Sequence, residues 1–196
     1  MSLISFNKEL YKACRPRQWP KNLLVFAAPL FNFTFDSSIW FLALFAFIGF
    51  CLVSSSIYLL NDSFDVESDR NHPRKKFRPI ASGKISIKNA RIFSLILFIL
   101  SLAISTSVSG SLAIVIGVYF FIQIVYCLFL KRKPILDIFS IASGFLLRAI
   151  AGIAACSLPN SPWFLLTVGL LALFLAIEKR KAELRLSSEK GQVTRE

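Results

Sequence analysis

The run Asn61-Asp62-Ser63-Phe64-Asp65-Val66-Glu67-Ser68-Asp69 sets three aspartates directly behind an apolar stretch from Ile39 to Leu60. Asp62, Asp65 and Asp69 are three and four apart, the spacing that shares one face of a helix. Carboxylates crowded at the end of a membrane helix are costly unless something positive binds them. They also oppose the helix dipole, so a merely solvated helix end explains them poorly. A hard divalent cation holding a substrate diphosphate meets the requirement. Mg²⁺ takes oxygen ligands and commonly binds through one or two carboxylates plus substrate phosphates. Such an ion stabilises charge on a departing diphosphate. The chemistry expected is Mg²⁺-dependent work on a phosphorylated substrate at a membrane surface.

Four further groups could serve that chemistry. Arg70 to Arg78 holds five cations, and Arg74, Lys75 and Arg78 are candidate clamps on phosphate oxygens. Arginine suits that task because its planar fork makes bidentate contacts. Ordinary charge bias and lipid contact account for the same residues. Asp137, Gly144 and Arg148 share one helical face at offsets of 7 and 11. Arg148 lies roughly 15 Å inside its span, and an arginine at that depth needs a partner, either a phosphate or a carboxylate of another helix. Lys179, Arg180 and Glu183 follow the last span, as phosphate, metal or ribose contacts or as a snorkelling basic helix end. Lys21 and Asn22 follow Arg15-Pro16-Arg17-Gln18-Trp19-Pro20, as a substrate contact or an interfacial anchor. The lone His72 reads as a loop residue, and Cys14, Cys51, Cys127 and Cys156 match no metal-ligand spacing.

The elements that must position these residues are membrane helices. Of the 196 residues 55% are hydrophobic, 20 of them Phe, and the mean hydropathy is +0.63. Apolar segments fall at Asn22–Phe35, Ser38–Leu60, Ile92–Val108, Leu112–Leu130, Ile135–Cys156 and Pro162–Ile177, most near the roughly 20 residues a span requires. Residues 1–21 are polar and basic, with no apolar core of a cleavable signal. The charge of +12 would suggest nucleic acid in a soluble protein. Here the cations lie between apolar runs, so no nucleic-acid partner is expected. Three alternate loops, at 34–38, 106–111 and 157–161, carry no Lys or Arg. Of the 23 basic residues only Arg148 lies off the opposite side. The positive-inside rule then puts both termini and the aspartates on the cytoplasmic face. The expectation is an all-α, polytopic transmembrane bundle of about six helices, one integral-membrane domain over residues 1–196, in a bacterial cytoplasmic membrane.

Taken together these residues resemble the UbiA prenyltransferase superfamily. Asn61-Asp62-x-x-Asp65-x-x-x-Asp69 is similar to its first aspartate-rich motif. The closer resemblance is to the branch of decaprenyl-phosphate phosphoribosyltransferases, carried by Arg15 to Asn22, Asn61 to Gly83, Leu136 to Gly152 and Lys179 to Leu184. A second aspartate-rich motif is absent, and Lys179-Arg180-Lys181-Ala182-Glu183 stands in its place, as in that branch. The resemblance implies transfer of a 5-phosphoribosyl group from phosphoribosyl diphosphate to a polyprenyl phosphate, in cell-envelope precursor synthesis. It implies Mg²⁺ at Asp62, Asp65 and Asp69, with Asn61 beside them. It implies Lys179, Arg180 and Arg78 on the ribose 5-phosphate side, and Arg148 and Lys131 toward the lipid phosphate. A phosphate monoester is nucleophilic at neutral pH, so positioning and charge stabilisation would carry the reaction. The family has about nine transmembrane helices, so the resemblance also implies a bundle cut short on its C-terminal side. Alternatives are a prenyl transferase acting on a small acceptor, an inactive fragment, and a transporter or scaffold. The transporter is disfavoured because the acidic groups sit at one surface rather than at mid-membrane. Homo-oligomerisation stays open.

Overall fold

The computed structural model describes residues 3–190; the side chains of residues 3–5, 132, 134, 183 and 186–190 lie outside the description. Among the described residues the fold is all helical. A short amphipathic helix, α1 (Leu3–Ala13), leads into a 3-10 segment (Pro16–Phe26) and α2 (Ala27–Phe31). Then come α3 (Ser37–Phe64), the short α4 (Val66–Asn71), α5 (Ile87–Val108), α6 (Gly110–Leu128), α7 (Pro134–Cys156) and α8 (Pro162–Lys190). Five of these, α3 and α5 to α8, are long and apolar enough to cross a membrane.

Polar caps set several of the helix starts. Asp36 accepts from the Ser38 N–H at 2.8 Å, Ser86 from Asn89 at 3.1 Å, and Ser109 from Leu112 at 3.0 Å. Each satisfies an orphan donor of its first turn. Pro134 opens α7, where its missing N–H costs nothing.

The central element is α3. Its most apolar window is 61% buried, against 11% for α8, so α8 presents most of that window outward. Small polar residues let α5 lie close against α3. Ser56 Oγ donates to the Ser94 carbonyl at 2.8 Å, Ser94 Oγ returns a bond to the Ser56 carbonyl at 2.9 Å, and Ser101 Oγ reaches the Gly49 carbonyl at 2.7 Å. In lipid, packing of small residues and such interhelical bonds replace the hydrophobic drive. Phe50, Val53, Leu112, Ile116 and Ala151 close the core between α3, α6 and α7.

The first apolar segment departs from the regular helix expected of it. Pro16 and Pro20 remove backbone donors, and residues 16–26 wind as a 3-10 helix before α2. This stretch runs antiparallel to α3: Arg15 meets Asp62, Trp19 Nε1 donates to Ser55 Oγ at 3.0 Å, Asn22 meets Ser54, and Phe26 packs on Phe47 and Trp40. A 3-10 helix rises about 2.0 Å per residue against about 1.5 Å for an α-helix. The 11 residues of 3-10 and five of α2 therefore cover about 30 Å, the thickness of the hydrocarbon layer. Stretching lets a short segment do the work of a longer one. Gly152 of α7 makes room for it, since a Cβ there would lie 2.0 Å from the Val25 carbonyl oxygen.

At the other end α8 does not stop at Ile177. It continues to Lys190, so Lys179 to Glu183 ride on the same helix as the last apolar span.

Candidate functional site

The aspartate run does not form one helical face. α3 ends at Phe64, Asp65 sits at φ −95°, ψ 11°, and α4 starts again at Val66. The carboxylates of the run are thereby divided. Asp62, on the last turn of α3, and Asp69, on α4, are both buried and turn toward each other, while Asp65 is half-exposed and points away.

Arg78 joins the first two. Its Nη1 donates to Asp62 Oδ1 at 3.1 Å and to Asp69 Oδ2 at 2.6 Å. Asp62 Oδ1 also accepts from Arg15 Nη2 at 2.6 Å. Asp65 pairs with Lys131, from the loop between α6 and α7. Desolvation holds the Asp69 carboxyl above the usual aspartate range, and its neighbour Arg78 only partly offsets this.

Arg15 reaches Asp62 from a strained backbone. It sits at φ 53°, ψ 59°, in the left-handed region that costs a non-glycine residue roughly 1–2 kcal/mol. Its guanidinium also stacks 4.9 Å from the Tyr58 ring centre. Beside it opens a cleft of about 250 Å³, lined by Lys12, Arg15, Asp62, Arg74, Phe77 and Arg78 among others.

The loop that carries Arg74, Lys75 and Arg78 is held from within. His72 Nδ1 accepts the backbone N–H of Arg74 at 3.1 Å and of Lys75 at 3.3 Å. Arg70 Nε donates to the Ala81 carbonyl at 3.1 Å. Gly83, at φ 77°, makes the turn into α5 that a side chain would strain. His72 is thus the loop residue its sequence context suggests.

Arg148 lies enclosed within the bundle. Among the described residues it meets no carboxylate; it donates to Asn22 Oδ1 at 2.7 Å, the Gly144 carbonyl at 2.7 Å and Tyr119 OH at 3.1 Å. The rings of Phe50, Tyr119 and Phe145 lie within 5.8 Å of its guanidinium carbon. Neutral acceptors and aromatic faces carry the charge instead of an ion pair. Being enclosed, Arg148 braces α7 against α6 and the 3-10 span. Asn22, itself buried, completes the brace by donating to Ser54 Oγ at 3.3 Å.

A second polar cluster joins α6, α7 and α8. Asp137 accepts from Tyr126 OH at 2.7 Å and pairs with Arg180 at 3.4 Å. Lys179 of α8 and Lys21 of the 3-10 span lie within electrostatic reach of each other, and Lys21 also feels Arg148 and Arg15. Lys21 and Arg15 from the first stretch and Lys179 and Arg180 from α8 thus come to the same end of the bundle as the aspartates. Asn61 is half-buried one residue before Asp62, and its carbonyl accepts the Asp65 N–H at 3.0 Å. The side chain of Glu183 lies outside the described residues.

The donor set suits one magnesium ion rather than a three-aspartate cage. Among the described residues no three His, Cys, Asp or Glu side chains converge. Asp62 and Asp69 nevertheless already share one cationic nitrogen, so a cation can lie between their oxygens. Two carboxylates, with phosphate oxygens and water for the rest, match how Mg²⁺ is usually held. Asp65 joins that pair only if it leaves Lys131. Sequence reasoning left Arg15 and Lys12 out of the site, because their place depends on how α1 folds back over the end of α3. The signal available was Arg15 immediately before Pro16, at a chain turn that opens the first span.

A bundle of apolar helices with acidic and basic side chains gathered at one end defines a multi-pass integral membrane protein with a charged polar site at that end. The chain belongs to the UbiA prenyltransferase family, whose model matches residues 23–186. It is 48% identical over 187 residues to a decaprenyl-phosphate phosphoribosyltransferase of Mycolicibacterium smegmatis, covering 93% of this chain and 59% of that protein. It is 43% identical over 187 residues to the protein of the same name from Corynebacterium glutamicum, covering 93% and 56%. A UbiA homolog from Archaeoglobus fulgidus, solved with GPP and Mg²⁺, shares the fold at a TM-score of 0.76 and 18% identity, over 93% of this chain and 66% of that one. The chain thus spans somewhat under two thirds of the length of the curated relatives it matches.

Proposed function

We propose that this protein transfers a 5-phosphoribosyl group from phosphoribosyl diphosphate to decaprenyl phosphate, or a similar polyprenyl phosphate, for a cell-envelope precursor. The observation that carries the reading is the 48% identity over 187 residues, 93% of this chain, to a protein named for that activity. The geometry supports it. One end of the bundle offers paired carboxylates for a metal beside a cleft of cations for phosphate, and an apolar exterior admits a lipid substrate from the side.

In this reading residues 1–196 form one integral-membrane domain of the bacterial cytoplasmic membrane, with both termini and the site on the cytoplasmic face. Asp62 and Asp69 hold Mg²⁺, with Asp65 and Asn61 beside them. When bound, the ion neutralises charge on the departing diphosphate. Arg78, Arg74, Lys75 and Arg15 grip the diphosphate oxygens. Lys21, Lys179 and Arg180 receive the ribose 5-phosphate, with Glu183 near the ribose. Lys131 faces the lipid phosphate, whose oxygen attacks the anomeric carbon as the diphosphate leaves. The centre passes through an oxocarbenium-like state, so positioning and charge stabilisation do the catalysis. Arg148 enters as a positioning residue that fixes Asn22 and the span bearing Lys21 and Arg15.

The test is transfer of label from phosphoribosyl diphosphate to polyprenyl phosphate in membranes carrying the protein, with and without chelator. Lipid-linked label that disappears with chelator supports the reading. Consumption of a prenyl diphosphate with no use of phosphoribosyl diphosphate refutes it.

A further inference from the structure

Each of the three aspartates of the run is already paired with a cation that would also bind a phosphate oxygen. Arg15 and Arg78 hold Asp62, Arg78 holds Asp69, and Lys131 holds Asp65. Three carboxylates thus face three cations, and each of these aspartates has a cationic partner. Asp62 and Asp69 are nearly fully buried, at 2% and 1% exposure. Buried charges do not tolerate losing a partner: removing one member of such a pair is strongly destabilising, because the other stays uncompensated.

This pairing has consequences for each ligand taken alone. A divalent cation entering between Asp62 and Asp69 must displace Arg78, and it leaves two guanidinium groups unpaired against a new double positive charge. A diphosphate that draws Arg15 and Arg78 away leaves two buried carboxylates unpaired beside an added anion. Arriving together the two ligands exchange partners with the protein. The carboxylates pass to the metal, the guanidinium groups pass to the phosphates, and no charge is left alone.

We propose that Arg15 and Arg78 are counter-ions that close the aspartate pair to a lone metal ion, so that divalent cation and diphosphate bind as one unit by exchange of ion pairs. The inference rests on the metal–diphosphate reading of the site and adds how that site is kept shut. It gives Arg15 and Arg78 a role before the substrate arrives as well as after. It also gives the strained backbone of Arg15 a purpose, since the left-handed turn aims its guanidinium at Asp62 and yields when that contact is exchanged. In a cell rich in free Mg²⁺ such a lock keeps a metal without substrate out of the site.

The test measures Mn²⁺ binding by the loss of its free-ion electron paramagnetic resonance signal, on the full chain in detergent. Methylenediphosphonate serves as the diphosphate, and its complex with Mn²⁺ in protein-free buffer is subtracted. Wild-type protein should bind Mn²⁺ alone weakly, and methylenediphosphonate should tighten that binding by roughly tenfold or more, the coupling usual between linked sites. The double variant Arg15→Gln, Arg78→Gln should bind Mn²⁺ alone at least roughly tenfold more tightly than wild type, and should lose the diphosphonate effect. If that variant does not fold, the wild-type coupling decides, together with Arg78→Gln alone. Wild-type protein that binds Mn²⁺ equally well with and without diphosphonate overturns the lock while leaving the metal site in place. Failure of every form to bind Mn²⁺ under either condition removes the metal site, and the lock with it.

Discussion

Gly152→Ala tests the stretched first span most directly. In the middle of a helix with open space, alanine in place of glycine stabilises by roughly 0.5–1 kcal/mol. At Gly152 the added methyl would lie 2.0 Å from the Val25 carbonyl oxygen and 3.1 Å from Ala28 Cβ. An ordinary carbon–oxygen contact is roughly 3.3 Å or longer, so the 3-10 span must retreat by more than about 1 Å. The obstacle is backbone, which cannot swing aside. Overpacking of this kind costs typically 1–3 kcal/mol and occasionally more, and the top of that range applies here. The same retreat pulls Asn22 off Arg148, whose bond is 2.7 Å, and a hydrogen bond to a charged group contributes about 1.5–3 kcal/mol. Set against the roughly 0.5–1 kcal/mol that alanine gains, the net expectation is a loss of about 4 kcal/mol, roughly a thousandfold in the folding equilibrium. Thermal unfolding in detergent measures it, with Gly117→Ala and Gly169→Ala as controls, since nothing lies within 4 Å of a Cβ at either. If Gly152→Ala melts with the controls, the close approach of the span to α7 is wrong.

Other sites make further expectations. Arg148→Met keeps the length of the side chain, removes a buried charge and leaves Asn22 and the Gly144 carbonyl short of a donor. It should lower the thermal midpoint and weaken substrate binding together, and a drop in turnover alone would instead put Arg148 at the reacting centre. Tyr126→Phe removes the hydroxyl that donates to Asp137; a loss of about 1.5–3 kcal/mol in unfolding free energy is expected and, on the proposed function, a raised KM for phosphoribosyl diphosphate as Arg180 loosens. Asp69 has a folded-state pKa above its unfolded one, because desolvation outweighs Arg78. Its protonated form is therefore the one folding favours. Relative to Asp69→Asn, wild-type protein should gain stability as pH falls through that raised value and lose it as pH rises. A wild type that instead loses ground on acidification would show that the Arg78 pairing wins.

Much of the architecture was legible because a bilayer imposes it. Span length and the one-sided placement of Lys and Arg mark α3 and α5 to α8 and put the aspartates at one end. The 3-10 winding of residues 16–26 was not legible. Its cause is distributed: two prolines, a glycine 126 residues beyond Phe26 on α7, and the need to cover a bilayer with few residues. Helical spacing suggested one face for Asp62, Asp65 and Asp69, yet the kink at Asp65 sends its carboxylate to Lys131. Local periodicity cannot foresee that, because the kink depends on which distant cations each carboxylate finds.

By itself the sequence determined that this is a helical membrane protein with clustered acidic and basic residues at one surface. Long apolar runs can be satisfied only by helices in lipid, and carboxylates interleaved with basic loops admit few other uses. Tertiary structure alone decided which charges meet. Arg15, Arg78 and Lys131 come from three separate stretches to neutralise three aspartates, and Arg148 finds amides and rings instead of an acid. Those choices depend on crossing helices and on burial. A charge in low dielectric takes whatever partner the packing brings within about 3 Å, and the order of residues along the chain does not say which one that will be.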